Sequence, residues 1–489
     1  MDILAYPHKI EPFDHQREHL VKHWQDKSWA LFWEQGTAKT KPIIDTAAAL
    51  FNDNKIDGLI VVAPPGVERN WATDEITEHL PDEYAFDWLV QIFQTKRKLT
   101  KTHKRQMESL FQWRGLSVLL ISYDASMTKE GKALIDRFLR HRVTMMVLDE
   151  AHNIKSPGAK RTMSLLAKGK RAKYRRILTG TPIAQGPFDV YSQIKFIDEW
   201  FWKNQGIHTY AEFKNKFGRW FTAADCRRIH GYDPGFDRLL EYQNIEQLYE
   251  MLQLLSDRHT KDDVLDLPPK LYQKRYFELT HEQRVLYNTL KEEMMVQIGD
   301  HLVTAELPIV RLLRHQQIAC NYIPVGEDEP VHMISAKNPR LKLMEQIRDE
   351  TYHPCIVWAR FRHDVDQLMD LLGEEAVRYD GSVDYDQAER NKEAFQAGDA
   401  KWFVGTQAKG GSGLTLTQAK TMVYYSNSFK LIDRLQSEDR AHRAGMDEHP
   451  VNYIDLVASD TVDERIIDNL RNKKDIASAI QGDDWKEWI

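Results

Sequence analysis

The chain has 489 residues, of which 42% are hydrophobic and 29% charged, with a formal net charge of −6; this is ordinary globular composition at a length for two or three domains. The negative balance excludes a protein coated all over in positive charge for nucleic acid, but not one with a local basic track. Cys226, Cys320 and Cys355 are far apart and form no CxxC pair, so neither a disulfide framework nor a zinc site is expected, and a reducing compartment fits.

The first residues, MDILAYPHKIEPFDHQ, lack a basic segment followed by an apolar run. No apolar stretch approaches the roughly 18 residues of a membrane helix, so a cytoplasmic protein with no membrane partner is expected. PFDHQREHL places Phe13 and Gln16 shortly before the first strand-like run, Trp29 to Trp33. Gln16 offers an amide matched to the edge of adenine, and Phe13 a face for the base to stack on. In WEQGTAKTKPIID a short apolar run meets a turn and then a helix. Gly36 permits the tight turn, the amides after it (Thr37, Ala38) face an anion, Lys39 reaches the β- and γ-phosphates, and Thr40 supplies a hydroxyl to Mg²⁺. Trp33 and Ala38 stand where GxxxxGK[ST] asks for glycine. Ala38 allows close phosphate approach provided its backbone stays right-handed. A non-functional turn is the competing reading of this stretch alone.

GLIVVAPP (Gly58 to Pro65) is a continuous apolar run of the kind found in a parallel strand covered on both faces. LSVLLISYD (Leu116 to Asp124), VTMMVLDE and YRRILTGTP follow, separated by helical patterns that include Asn70 to Leu80 and Lys132 to Arg140. Such alternation implies a parallel sheet with its site at the strands' carboxyl ends, where the phosphate loop, DEAH and LTGTP all fall. In MVLDEAHNIKS, Asp149 would hold Mg²⁺ and Glu150 would orient and deprotonate an attacking water. His152 would report the phosphate state to its neighbours. Taken alone, the acidic pair also reads as a solvated loop. Lys155 to Arg176 carries many cations and no acid, which leaves open a solvated helix face or a nucleic-acid track.

Asp198 to about Lys337 reads as mainly helical, with Phe213, Phe217, Trp220 and Phe221 at helical spacing for core packing or, alternatively, DNA stacking. The polar stretch GEDEPVHMISAKNPR marks a boundary. Beyond it CIVWA, KWFVGT, TMVYYS and YIDLVA are strand candidates of a second α/β sheet. The expected divisions are therefore 1–197, 198–337 and 338–489. In DRLQSEDRAHR, Arg440 and Arg443 are three apart and so expected on one helical face, each able to bridge phosphate oxygens.

LDEAHNIKS followed by ILTGTPIAQGPFDVYSQIKFI resembles motifs II and III of superfamily 2 helicase-like ATPases, specifically the Swi/Snf-related double-stranded DNA translocases. VVAPPGVERNW, ISYDASM, DVLDLPPK, RLLRHQQIACNY, CIVWARFRHDVDQL, YDGSVDYDQAERNKEAF, TQAKGGSGLTLTQAK and DRLQSEDRAHRAGM resemble further segments of that family in its order. The resemblance implies an α/β fold of two RecA-like parallel-sheet lobes with helical insertions between them. It implies ATP and Mg²⁺ as substrate and cofactor, with Phe13, Gln16, Gly36, Thr37, Ala38, Lys39, Thr40 and Gly413 binding ATP. Lys39, Asp149, Glu150, Arg440 and Arg443 would be catalytic, Arg443 being the preferred finger from the opposite lobe. Pro64, Pro65, Ser122, Tyr123, Arg360, Thr406 and Lys409 would contact DNA, while His152, Thr179, Thr181 and Gln436 would couple the two.

By the same resemblance the chain is a DNA-dependent ATPase that moves along double-stranded DNA, plain, forked or branched, as a monomer. Thr415 and Met446 stand where many relatives carry Asn and Gln, and the tryptophan common in eukaryotic relatives is missing from SNSFKLIDRLQSEDRAHR. This run looks more like bacterial and bacteriophage members, so a bacterial or phage-infected cell is expected, with replication, recombination or defence proteins as partners. A strand-separating or strand-annealing helicase is the alternative, as is a degenerate ATPase serving as a nucleic-acid-binding module, for which Ala38 speaks.

Overall fold

The computed structural model describes residues 3, 6–97, 100–230, 237–293, 295–298, 301–304, 308–325, 331–410, 414–443, 446 and 448–481. The chain forms two compact units, one built on Met1–Asp266 and the other on Leu267–Lys474.

The first unit holds β1 (Ser28–Leu31), β2 (Gly58–Ala63), β3 (Trp88–Phe93), β4 (Leu116–Ser122), β5 (Thr144–Asp149), β6 (Tyr174–Leu178) and β7 (Ser256–Asp257). They make one sheet in the order β3-β4-β2-β5-β6-β1-β7, with every pair parallel. Strand side chains alternate between faces, and here both faces are apolar. Ile60, Val62, Leu119, Ile121, Met146 and Leu148 enter one core, whereas Leu59, Val61, Val118, Leu120, Met145 and Val147 enter the other. Helices α1 (Asp14–His23) and α2 (Thr40–Asn52) flank β1.

The second unit holds β8 (Lys270–Phe277), β9 (Cys355–Ala359), β10 (Ala376–Tyr379), β11 (Trp402–Thr406), β12 (Thr421–Tyr424) and β13 (Val451–Ala458). Their order is β8-β13-β12-β9-β11-β10, again all parallel. The fold class is thus α/β with two parallel sheets. Asn338 caps the helix Pro339–Glu350 through Leu341 N, with proline at the first turn, where its missing N–H costs no hydrogen bond.

Among the described residues of 198–337, helices predominate but are interleaved with short strands. Helices such as Tyr210–Phe217 and His281–Glu293 alternate with strands, among them the antiparallel pair Gly218–Phe221 and Arg238–Tyr242. The stretch also supplies β7 to the first sheet and β8 to the second. Phe213 and Phe217 are fully buried on their helix, but Trp220 and Phe221 lie on the following strand, so the four share no helical face. Trp220 stacks on Phe188 at 5.7 Å, which is packing.

The basic run is largely engaged in folding. Lys168 and Arg171 share Asp136, Arg161 pairs with Asp124 and Lys170 with Glu199. Arg176 is buried and donates to His23 O. All three cysteines are buried and free. Among the described residues no helix is long and apolar enough to cross a membrane.

Candidate functional site

Parallel β1, β6 and β5 are neighbours, and Leu31, Leu178 and Asp149 stand level across them. The phosphate loop, LTGTP and DEAH therefore leave adjacent strands on the same edge.

The loop after β1 turns at Gly36, φ 84°, and then at Ala38, φ 55°. The condition set for close phosphate approach, a right-handed backbone at Ala38, is not met: the position takes the left-handed conformation that glycine adopts freely and alanine only at a cost of about 1–2 kcal/mol. The loop is braced from α1. Gln16 is fully buried, accepts from Phe13 N at 2.9 Å and donates to Ala38 O at 2.8 Å. Its amide thus holds the loop. His15 Nε2 donates to Thr37 O at 3.0 Å, and burial lowers the His15 pKa. Phe13 is 51% exposed, and its ring stacks on that of His15 at 5.9 Å. Lys39 donates to Glu34 O at 3.0 Å, and Thr40 opens α2.

Asp149 accepts from Trp71 Nε1 and from Glu150 N, each at 2.9 Å. Loss of solvation, the largest cause, and the adjacent Glu150 push its pKa up to about 6, while Trp71 and the charge of Lys39 pull it back. Glu150 has φ 52°, left-handed backbone of the kind that clusters at working sites. Gln35 donates to Glu150 Oε1 at 3.0 Å. On the other carboxylate oxygen, His152 Nδ1 lies at 3.2 Å and Thr179 Oγ1 at 3.5 Å. Thr181 N donates to Thr179 Oγ1 at 3.1 Å. The structure thus brings Glu150, His152, Thr179 and Thr181 into one network, which spans DEAH and LTGTP.

A hard divalent cation that keeps most of its ligands as water and substrate oxygen needs only one or two protein oxygens. The oxygens of Asp149, held by neutral donors, together with the Thr40 hydroxyl, suit such an ion, and Lys39 with the amides after Gly36 suits phosphate.

Of the residues expected to meet DNA, Pro65 is exposed and Pro64 half-buried. Tyr123 requires correction. Its side chain is 1% exposed and its hydroxyl donates to Asp149 O at 2.9 Å, so it supports the DEAH turn. Ser122 is likewise buried and caps the next helix through Ala125 N.

In the second unit, Arg360 donates to Gln316 Oε1 at 2.5 Å, and its guanidinium lies 4.8 Å over Phe429. Lys409 donates to Asp380 O and Val383 O at 2.7 and 2.9 Å. Thr406 ends β11, half-buried. The helix expected to carry both arginines stops at Glu438, so Arg440 and Arg443 do not share a helical face. Both nevertheless donate to Leu414 O, at 3.0 and 3.2 Å. Gln436, buried, accepts Arg440 Nε at its backbone oxygen. Gly413 lies outside the described residues.

Trp71, Gln35, His15 and the supporting role of Tyr123 were not anticipated. The signals were present: Trp71 closes VVAPPGVERNW, and Gln35 lies inside the phosphate loop.

The SNF2-related domain model matches residues 16–322, more than half of the chain, and the Helicase conserved C-terminal domain model matches 339–445. The chain belongs to the SNF2-related family. Among its relatives is the human SWI/SNF-related matrix-associated actin-dependent regulator of chromatin subfamily A member 1, 25% identical over 68% of this chain and 31% of that protein. Another is the human DNA annealing helicase and endonuclease ZRANB3, 26% identical over 86% of this chain and 36% of that protein. The chain spans about a third of the length of these relatives. A solved structure, the Sulfolobus solfataricus SWI2/SNF2 ATPase core in complex with dsDNA, is 21% identical over 98% of this chain and 95% of that one, with TM-score 0.40.

Proposed function

We propose that the chain hydrolyses ATP with Mg²⁺ and couples hydrolysis to movement along double-stranded DNA, remodelling DNA or protein–DNA complexes. The observation that carries the reading is the hydrogen bond from Gln35 to Glu150, which ties the phosphate loop to the carboxylate that would activate water. Family membership supplies the rest.

In this reading Phe13 stacks on the base, Gln16 keeps the loop in shape, and Lys39 with the amides of Thr37 and Ala38 binds phosphate oxygens. Thr40 and Asp149 would hold Mg²⁺, which when bound would neutralise phosphate charge. Glu150 orients the water and takes its proton. His152, Thr179 and Thr181 hold Glu150, so that a change at the phosphate reaches LTGTP. Arg440 and Arg443 supply positive charge to the transition state, a contribution of about 10³ to 10⁵ in related phosphoryl transfer, while Gly413 binds ATP and Gln436 couples hydrolysis to DNA. Pro64, Pro65, Arg360, Thr406 and Lys409 contact the DNA backbone without reading sequence. Residues 1–197 together with β7, and 338–489 together with β8, serve as the motor halves, and the rest of 198–337 as the inserted segment.

We assign the chain to the bacterial or bacteriophage branch on its SNSFKLIDRLQSEDRAHR run, acting in the cytoplasm as a monomer alongside replication, recombination or defence proteins. Displacement of a third strand from a duplex tests movement without strand separation. Release of the triplex strand with the duplex left paired supports the reading; separation or annealing of the duplex strands instead supports a helicase.

A further inference from the structure

We propose that Trp71 is a positioning residue for the metal at Asp149: its indole N–H sets the plane of the carboxylate so that the remaining oxygen lone pairs face the cation. The inference rests on the reading of Asp149 as the Mg²⁺ ligand.

Trp71 is 1% exposed, and its Nε1 lies 2.9 Å from Asp149 Oδ2. Glu150 N lies 2.9 Å from the other oxygen, Oδ1. Each oxygen of an ionised carboxylate accepts about two hydrogen bonds, so one neutral donor on each fixes the plane and leaves further acceptor capacity on both. Tyr123, through Asp149 O at 2.9 Å, pins the backbone of the same residue. Side chain and main chain of Asp149 are therefore held at three points.

The chemistry of the donor matters. A lysine or arginine here would orient the carboxylate but would also neutralise it and compete with the ion. The indole N–H is a donor that carries no charge and cannot be deprotonated at working pH. The ring packs in the same apolar core as Val61, Ala63 and Val147, so its direction is set by packing. Trp71 also begins the wide helical turn Trp71–Glu75, between the regular turns Val67–Asn70 and Ile76–His79. Such π-type turns occur frequently at functional sites.

Hydrogen-bond partners of metal ligands typically matter about 10- to 100-fold for metal affinity. Two variants of the full chain remove the N–H: Trp71→Phe, and the near-isostere 3-benzothienylalanine introduced at position 71, in which sulfur replaces N–H. The readout is Mn²⁺ binding in the presence of ADP, followed by electron paramagnetic resonance, beside the Mg²⁺ dependence of ATP turnover. Both variants are expected to bind Mn²⁺ about 10- to 100-fold more weakly and to need correspondingly more Mg²⁺ for half-maximal rate, with kcat at saturating Mg²⁺ within about threefold of wild type. A purely structural role would lower the unfolding temperature and leave the Mn²⁺ affinity of folded protein unchanged. Wild-type protein that holds Mn²⁺ with ADP, alongside an isostere variant with the same affinity within about twofold, overturns the inference alone. Wild-type protein that holds no Mn²⁺ with ADP removes the metal reading and the inference with it. Should Trp71→Phe not fold, the isostere decides.

Discussion

Gln35 and Glu150, 115 residues apart in the chain, meet in a 3.0 Å hydrogen bond from the Gln35 amide to Glu150 Oε1. The turn that would cradle phosphate and the acid that would direct water are therefore positioned by one another. Replacing the acid while keeping its shape separates binding from chemistry. Glu150→Gln is expected to bind ATP with near-wild-type affinity and to lose about 10²- to 10⁴-fold in turnover, measured by nucleotide titration and by phosphate release.

Lys39 donates to Glu34 O at 3.0 Å, and its charge is felt at Asp149. Lys39→Ala removes a charged hydrogen-bond donor of the kind worth about 1.5–3 kcal/mol, so ATP affinity should fall about 10- to 100-fold by calorimetric titration. Unchanged affinity would reject the phosphate-loop assignment.

Ala38, at φ 55°, makes a prediction of opposite sign. Glycine there relieves about 1–2 kcal/mol of backbone strain and adds about 0.5–1 kcal/mol of unfolded-state entropy. Ala38→Gly should therefore stabilise the first unit by roughly 0.5–1 kcal/mol, read as a higher denaturant midpoint.

How much of this was legible in the sequence depended on burial. The runs GLIVVA, LSVLLIS, TMMVLD, CIVWA and TMVY were readable because each is an interior strand covered on both faces. The strands that escaped notice, Trp88–Phe93, Ser256–Asp257, Lys270–Phe277 and Ala376–Tyr379, are the two edges of each sheet. An edge strand such as KLYQKRYF is only partly covered and lacks the apolar run that marks an interior strand. At the candidate site, the charged and glycine positions stand out in the sequence because they are the residue types that phosphate chemistry would demand. Trp71 does not, since an indole that orients a carboxylate looks in sequence like any core tryptophan. The arginine pair was misread because three-residue spacing implies a shared face only while the helix lasts, and this one ends at Glu438.

Asp364, fully buried in the second unit, accepts from Ser426 Oγ at 2.8 Å. Burial, the largest cause, pushes its pKa up to about 7 from 3.8. Because the folded carboxyl binds its proton more tightly than the unfolded one, its stabilising contribution is complete below about pH 4 and is lost as pH rises through about 7. Wild-type protein should lose on the order of 1 kcal/mol of second-unit stability per pH unit over that window. Asp364→Asn should flatten this slope in unfolding midpoints measured from pH 5 to 8, and an unaltered slope would assign the titration elsewhere.

The most direct test of the motor reading is the rate of phosphate release with duplex, forked and single-stranded DNA and with RNA, at stated salt because backbone contacts weaken as salt rises. Hydrolysis that rises at least about tenfold with duplex or forked DNA and vanishes in Glu150→Gln is the expected result. A rate that matches Glu150→Gln with and without every nucleic acid would contradict it.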